Sequence, residues 1–152
     1  MPVAKRKSLK TDPCPVARAL DVIGERWSLL IVRDAFDGMR RFGEFQKSLG
    51  VAKNILADRL HMLVEEGIFT IAPASDGTAY QEYVLTHKGL GLFPVVVGLR
   101  QWSEAQLFEP GEAHSTLLQR ASGLPVRRID VLGEDGRVLQ AGDTVVHKVS
   151  PP

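Results

Sequence analysis

Residues Arg40 to Gly67 read RRFGEFQKSLGVAKNILADRLHMLVEEG. In the first half Phe42, Phe45 and Leu49 recur at i, i+3 and i+7, and in the second Leu56, Leu60, Leu63 and Val64 recur at i, i+4, i+7 and i+8. At about 100° per residue each set lies on one side of a helix, so two short amphipathic helices are predicted, separated by Gly50-Val51. That is a helix-turn-helix pattern. The leucines of the second helix point one way, and Asn54, Ala57, Asp58, His61 and Glu65 point the other. As a recognition helix it would bring Asn54 to base edges and Lys53 to a phosphate. An ordinary helical hairpin has the same periodicity, so the residues that follow decide between the two.

Beyond Gly67 the period changes. Ile68 to Ile71 is rich in β-formers, Pro73 to Thr78 contains the turn signal Asp76-Gly77, and Tyr80 to Leu85 reads as a returning strand. Two helices followed at once by a hairpin make a winged helix.

Several motifs then fall in one order: Cys14-Pro15-Val16, Gly24-Glu25-Arg26-Trp27, Arg41-Phe42-Gly43-Glu44-Phe45, Leu56 to Leu63 with Glu65-Glu66-Gly67, and Glu82-Tyr83-Val84-Leu85-Thr86-His87-Lys88-Gly89. From Cys14 to about Trp102 the chain resembles the HxlR family of bacterial winged-helix transcriptional regulators, relatives of the MarR group. The resemblance implies a homodimer acting on double-stranded operator DNA, with a response to a small molecule or to redox state. The fold class expected is α+β, mainly α, with a long C-terminal dimerisation helix and a small antiparallel β appendage.

Upstream, Pro15 suits a helix start, with an apolar stripe from Val16 to Ile23, and a second helix runs from about Trp27 to Phe36, with Trp27 in the core. Cys14 at a helix N-terminus is the candidate redox sensor, because unpaired amides and the helix dipole favour a thiolate; the alternative is a packed, inert thiol. Arg40, Arg41 and Lys47 are expected on the DNA backbone, and Lys53, Asn54, Ala57 and His61 in the groove. Arg59, at the edge of the apolar face, is expected to tie the helix to Glu44 or another acid.

The chain departs from the family pattern where DNA would be read. Ala52 and Ala57 stand where hydroxyl residues are common, Tyr80 and Gln81 stand where the wing often has Arg, and no Lys or Arg occurs between Arg59 and Lys88. Affinity must then come from other cations, and weak or narrowly selective binding is expected.

A long helix is predicted from Thr86, its cap, to about residue 107, with Pro94 permitting a bend. It is apolar on too many sides for a monomer surface, and the resemblance implies a subunit interface that also takes in the first helix: Val16, Leu20, Phe93, Val97 and Trp102. Residues 108–152 read as short strands at Thr116 to Arg120, Val126 to Leu132, Val138 to Gln140 and Thr144 to Val149, with a turn at Glu134-Asp135-Gly136. Longer family members resemble this tail but carry cysteines suggestive of a metal knuckle. Here Ser122, Leu132 and Asp135 stand at the matching places, so neither a metal nor any other cofactor is expected. The division expected is a disordered basic arm over 1–13, a DNA-binding and dimerisation domain over 14–107, and a β-rich domain over 108–152.

Composition agrees with that outline. The chain has 152 residues and a net charge of +1, with Lys5, Arg6, Lys7 and Lys10 near the start leaving 15 basic against 18 acidic groups in the remainder. The arm could lie on DNA or serve only as a soluble tail. No apolar run is long enough to span a membrane, no secretion signal is evident, and a single cysteine fits a reducing compartment, so the expected address is the cytoplasm. The four histidines are scattered and no catalytic motif is present, which argues against an enzyme. The alternative function is a dimeric ligand-binding or protein-interaction module on a winged-helix scaffold with weak DNA affinity.

Overall fold

The computed structural model describes residues 6–150. Its elements are α1 (Pro15–Ile23), α2 (Arg26–Phe36), α3 (Phe42–Leu49), α4 (Lys53–Glu65), β1 (Phe69–Pro73), β2 (Gln81–Leu85), α5 (His87–Leu90), α6 (Phe93–Gln106) and a 3-10 turn at Ala141–Asp143. The chain divides into two compact units, one running to Phe93 together with the terminal segment from Lys148, the other Pro94–His147. Among the described residues no helix is long and apolar enough to cross a membrane.

In the first unit α2 packs against α1, α3 and α4, and α4 against β1. Ile31 and Val32 of α2, Phe45 of α3, Leu56, Leu60 and Leu63 of α4, and Phe69 of β1 are fully buried, so the periodicity of the sequence became the core. Trp27, expected in the core, is only half-buried, with the Arg26 guanidinium 4.7 Å from its ring centroid. Gly50 closes α3 at φ 62°, a left-handed conformation that glycine adopts without a Cβ penalty, and its amide donates to the Gln46 carbonyl at 2.9 Å. The chain is thereby turned into α4.

β1 and β2 pair antiparallel with Phe69 opposite Leu85 and Pro73 opposite Gln81. The Tyr83 amide also donates to the Arg40 carbonyl at 2.7 Å, which ties the segment before α3 to the wing. Of the basic arm, Lys5 lies outside the described residues. Within them, Arg6 donates to the Leu20 carbonyl at 3.2 Å, the Leu9 amide donates to Asp21 at 2.9 Å, and Lys10 stands 3.6 Å from Glu66.

Thr86 caps as expected, its hydroxyl accepting from the Gly89 amide at 3.1 Å and donating to the Gly67 carbonyl. The long helix predicted from it is, however, two helices. α5 ends at Leu90, Gly91 and Leu92 turn the chain, and α6 begins at Phe93 with Pro94 in its first turn, where a missing amide costs nothing.

In the second unit the predicted strands are reduced to isolated antiparallel bridges, Leu118 with Pro125 and Leu132 with Val138. The turn at Glu134-Asp135-Gly136 is present, closed by the Gly133 amide on the Arg137 carbonyl at 2.8 Å. Beside the second bridge a side chain takes a strand's place: Gln101 of α6 donates to the Arg127 carbonyl at 3.0 Å and accepts from the Ile129 amide at 2.7 Å. Thr144 to Val149 forms no strand.

Candidate nucleic-acid interface

Lys53, Asn54, Ala57, Asp58 and His61 are all exposed on α4, opposite the buried Leu56, Leu60 and Leu63. Ala52 is the N-cap and makes no side-chain cap, so the first amides of α4 have no side-chain acceptor from it. Unpaired amides at a helix start favour an anion. Lys47 of α3 is exposed, and among the described residues neither it nor Lys53 forms an ion pair. His61 Nε2 lies 3.0 Å from Glu65 one turn on, a partner that any groove contact would have to share.

Arg59 does meet an acid, and it is Glu25. Its Nε lies 3.2 Å from Glu25 Oε2 but is not aligned as a hydrogen bond, so the pair acts through charge. The same oxygen accepts from the Trp27 amide at 2.9 Å and caps α2. The recognition helix is therefore pinned to the start of α2. Arg59→Ala is expected to lower stability by about 1 kcal/mol, the upper range for a partly exposed pair, and to leave the DNA affinity of the folded protein unchanged. Denaturant unfolding and DNA titration of the same preparation check both halves.

Arg40 and Arg41, expected on the DNA backbone, are both engaged with the wing. Arg40 stands 3.5 Å from Glu82, which is buried and accepts from the Ser75 amide and hydroxyl, each at 3.1 Å. The Ser75 amide bond holds the Glu82 carboxyl below its ordinary value against the opposing effect of burial. Arg41 donates to Asp76 and lies 4.9 Å from the Tyr80 ring centroid. The hydroxyl and amide of Thr78, and then Arg41, hold the Asp76 carboxyl down to about 2. The wing lacks a cation in its own sequence and receives two from the segment before α3. A count of basic residues between Arg59 and Lys88 cannot reveal that.

The HxlR-like helix-turn-helix family model matches residues 22–110. The chain belongs to this family. Over 95 residues it is 47% identical to the uncharacterised HTH-type transcriptional regulator Rv3095 of Mycobacterium tuberculosis, a match covering 62% of this chain and 60% of the relative. The chain thus spans about 60% of the length of that curated relative. The crystal structure of PA1607, a candidate transcription factor, is 57% identical with a TM-score of 0.88, covering 93% of this chain and 99% of that one. The redox regulator HypR in its reduced form is 30% identical with a TM-score of 0.57, covering 62% and 94%.

Cys14 is exposed and is the N-cap of α1, with no side-chain cap and its own amide bonded to Asp12 at 2.8 Å. Val16, Leu20 and Phe93 are exposed, as is Trp102 at 60%. Val97, expected with them, is only 3% exposed. On the same helix Val95 and Leu99 are also exposed.

Proposed function

We propose that this HxlR-family protein is a transcriptional regulator that binds operator DNA as a homodimer in the cytoplasm and carries out no catalysis. The observation that carries this reading is α4, whose polar side is wholly exposed while its leucines are locked in the core. Lys53 and the unpaired amides at the start of α4 are assigned to phosphate, Asn54, Ala57 and His61 to the groove, and Lys47 and Arg40 to the flanking backbone. Dimerisation is assigned to the exposed apolar residues Val16, Leu20, Phe93 and Trp102. They cost free energy in contact with water and are removed from it by a second copy. Residues 1–13 are assigned as an arm, 14–107 as the DNA-binding and dimerisation domain, and 108–152 as an appended domain. An effector or redox response is included in the proposal, with exposed Cys14 as the thiol that would report it.

Titration with DNA from the protein's own promoter region, against unrelated DNA and across a salt series, tests the reading. Specific binding is expected, with log affinity falling against log salt by about 0.9 per phosphate neutralised. The capture of Arg41 by Asp76 favours a second reading, a dimeric ligand-binding or protein-interaction module with weak DNA affinity. Equal and weak binding of both DNAs selects it.

A further inference from the structure

The wing's two acids are Asp76 and Glu82, and the two arginines that meet them are held in different ways. Arg40 leans on a buried carboxylate and keeps its side chain 53% exposed, so it can still reach outward. Arg41 is enclosed. Its guanidinium is bonded to Asp76 and covers the Tyr80 ring, with Thr78 Oγ1 at 3.5 Å, and its amide donates to Glu44 at 3.1 Å. Asp76 in turn is fixed at the wing tip, its Oδ1 accepting from the Thr78 amide at 3.0 Å and hydroxyl at 2.8 Å, while half of its side chain remains exposed.

We infer that Asp76 is an affinity-limiting residue of the wing, which withholds Arg41 from DNA phosphate and leaves Arg40 as the cation that the wing presents. This rests on the DNA-binding reading. A phosphate and the Asp76 carboxylate compete for one guanidinium. A phosphate that displaced Asp76 would leave an exposed carboxylate beside it, within the roughly 10 Å over which charges still repel at moderate salt. The ion pair is therefore retained and the wing tip meets DNA as a neutral surface. Sequence-independent affinity falls, and the exposed face of α4 carries a larger share of the discrimination between sites.

Asp76→Asn in the full chain keeps an acceptor for Thr78 and removes the charge. It is expected to bind promoter and unrelated DNA about three- to tenfold more tightly and to steepen the log affinity against log salt by about 1, one more phosphate contact. The double variant Asp76→Asn, Arg41→Ala is expected to lose the added slope, which separates release of Arg41 from simple loss of a negative charge. If wild type binds its promoter specifically and Asp76→Asn matches or falls below it in affinity and slope, Asp76 does not limit the wing and the inference fails alone. If neither protein binds any DNA at low salt, the DNA-binding reading fails and takes this inference with it. Binding by the variant where wild type shows none supports both.

Discussion

Phe45→Ala is expected to destabilise the protein by about 3–5 kcal/mol, the range for removing a buried phenyl ring from a packed core. The Phe45 ring is fully buried on α3 and meets Phe69 of β1 at 6.3 Å and 72° and Tyr83 of β2 at 6.5 Å and 74°. Phe69 and Tyr83 meet each other at 6.4 Å and 87°. Edge-to-face pairs of this kind add about 0.5–1.5 kcal/mol each beyond area burial. Collapse into the cavity is resisted because Phe69 and Tyr83 lie on strands whose register is fixed by the β1–β2 ladder. A small domain has roughly 5–15 kcal/mol in total, so the variant sits close to unfolding at ordinary temperature. Phe45→Leu, which retains much of the volume, is expected to cost about half as much. Denaturant midpoints of the three proteins check the order, and a loss under about 1 kcal/mol for Phe45→Ala would show that the three rings do not form one unit. Because that unit joins the helix-turn-helix to the wing, the variant's DNA binding should fail with its fold rather than independently of it.

What the sequence reveals about this chain follows the range of the interactions. The helix-turn-helix and the wing were legible because leucine spacing on α4 and the β-rich run after Gly67 are local signals, and burial of Leu56, Leu60 and Leu63 follows directly from them. That Arg59 meets an acid was legible from its place at the edge of the apolar face. Which acid it meets depended on where α2 begins. The fate of Arg41 was not legible, since Asp76 lies 35 residues away and is delivered by the turn of the wing. Strand propensity in the tail was real, but Gln101 supplies both a donor and an acceptor to residues 127–129, and a backbone satisfied by a side chain leaves no ladder to extend. The break after α5 is not legible in the sequence, because the apolar pattern continues through Leu92 without a change of period. The Thr-x-x-Gly step that begins α5 is visible in the sequence, but its physical content lies in a contact that spacing does not show.

That contact makes Gly89→Ala the second large effect expected. A Cβ at Gly89 would lie 2.3 Å from the Ile68 carbonyl oxygen and 2.9 Å from Leu85 Cδ2. Neither neighbour is free to retreat: the Ile68 carbonyl accepts from the Thr86 amide at 3.0 Å, and Leu85 is paired with Phe69 in the sheet. Relief requires α5 to lift from the β1–β2 end, which would stretch the bonds from Thr86 to Gly67 and from the Gly89 amide to Thr86. A loss of about 3 kcal/mol is expected, the upper range for overpacking a fixed site. Gly43→Ala makes the sign a test of this cause rather than of glycine replacement in general. Gly43 lies in α3 with nothing within 4 Å of its added Cβ, so there alanine should stabilise by about 0.5–1 kcal/mol through helix propensity. Opposite shifts in denaturant midpoint would locate the constraint at the Ile68 carbonyl. Equal shifts, or a neutral Gly89→Ala, would mean that α5 can move away from the wing at little cost.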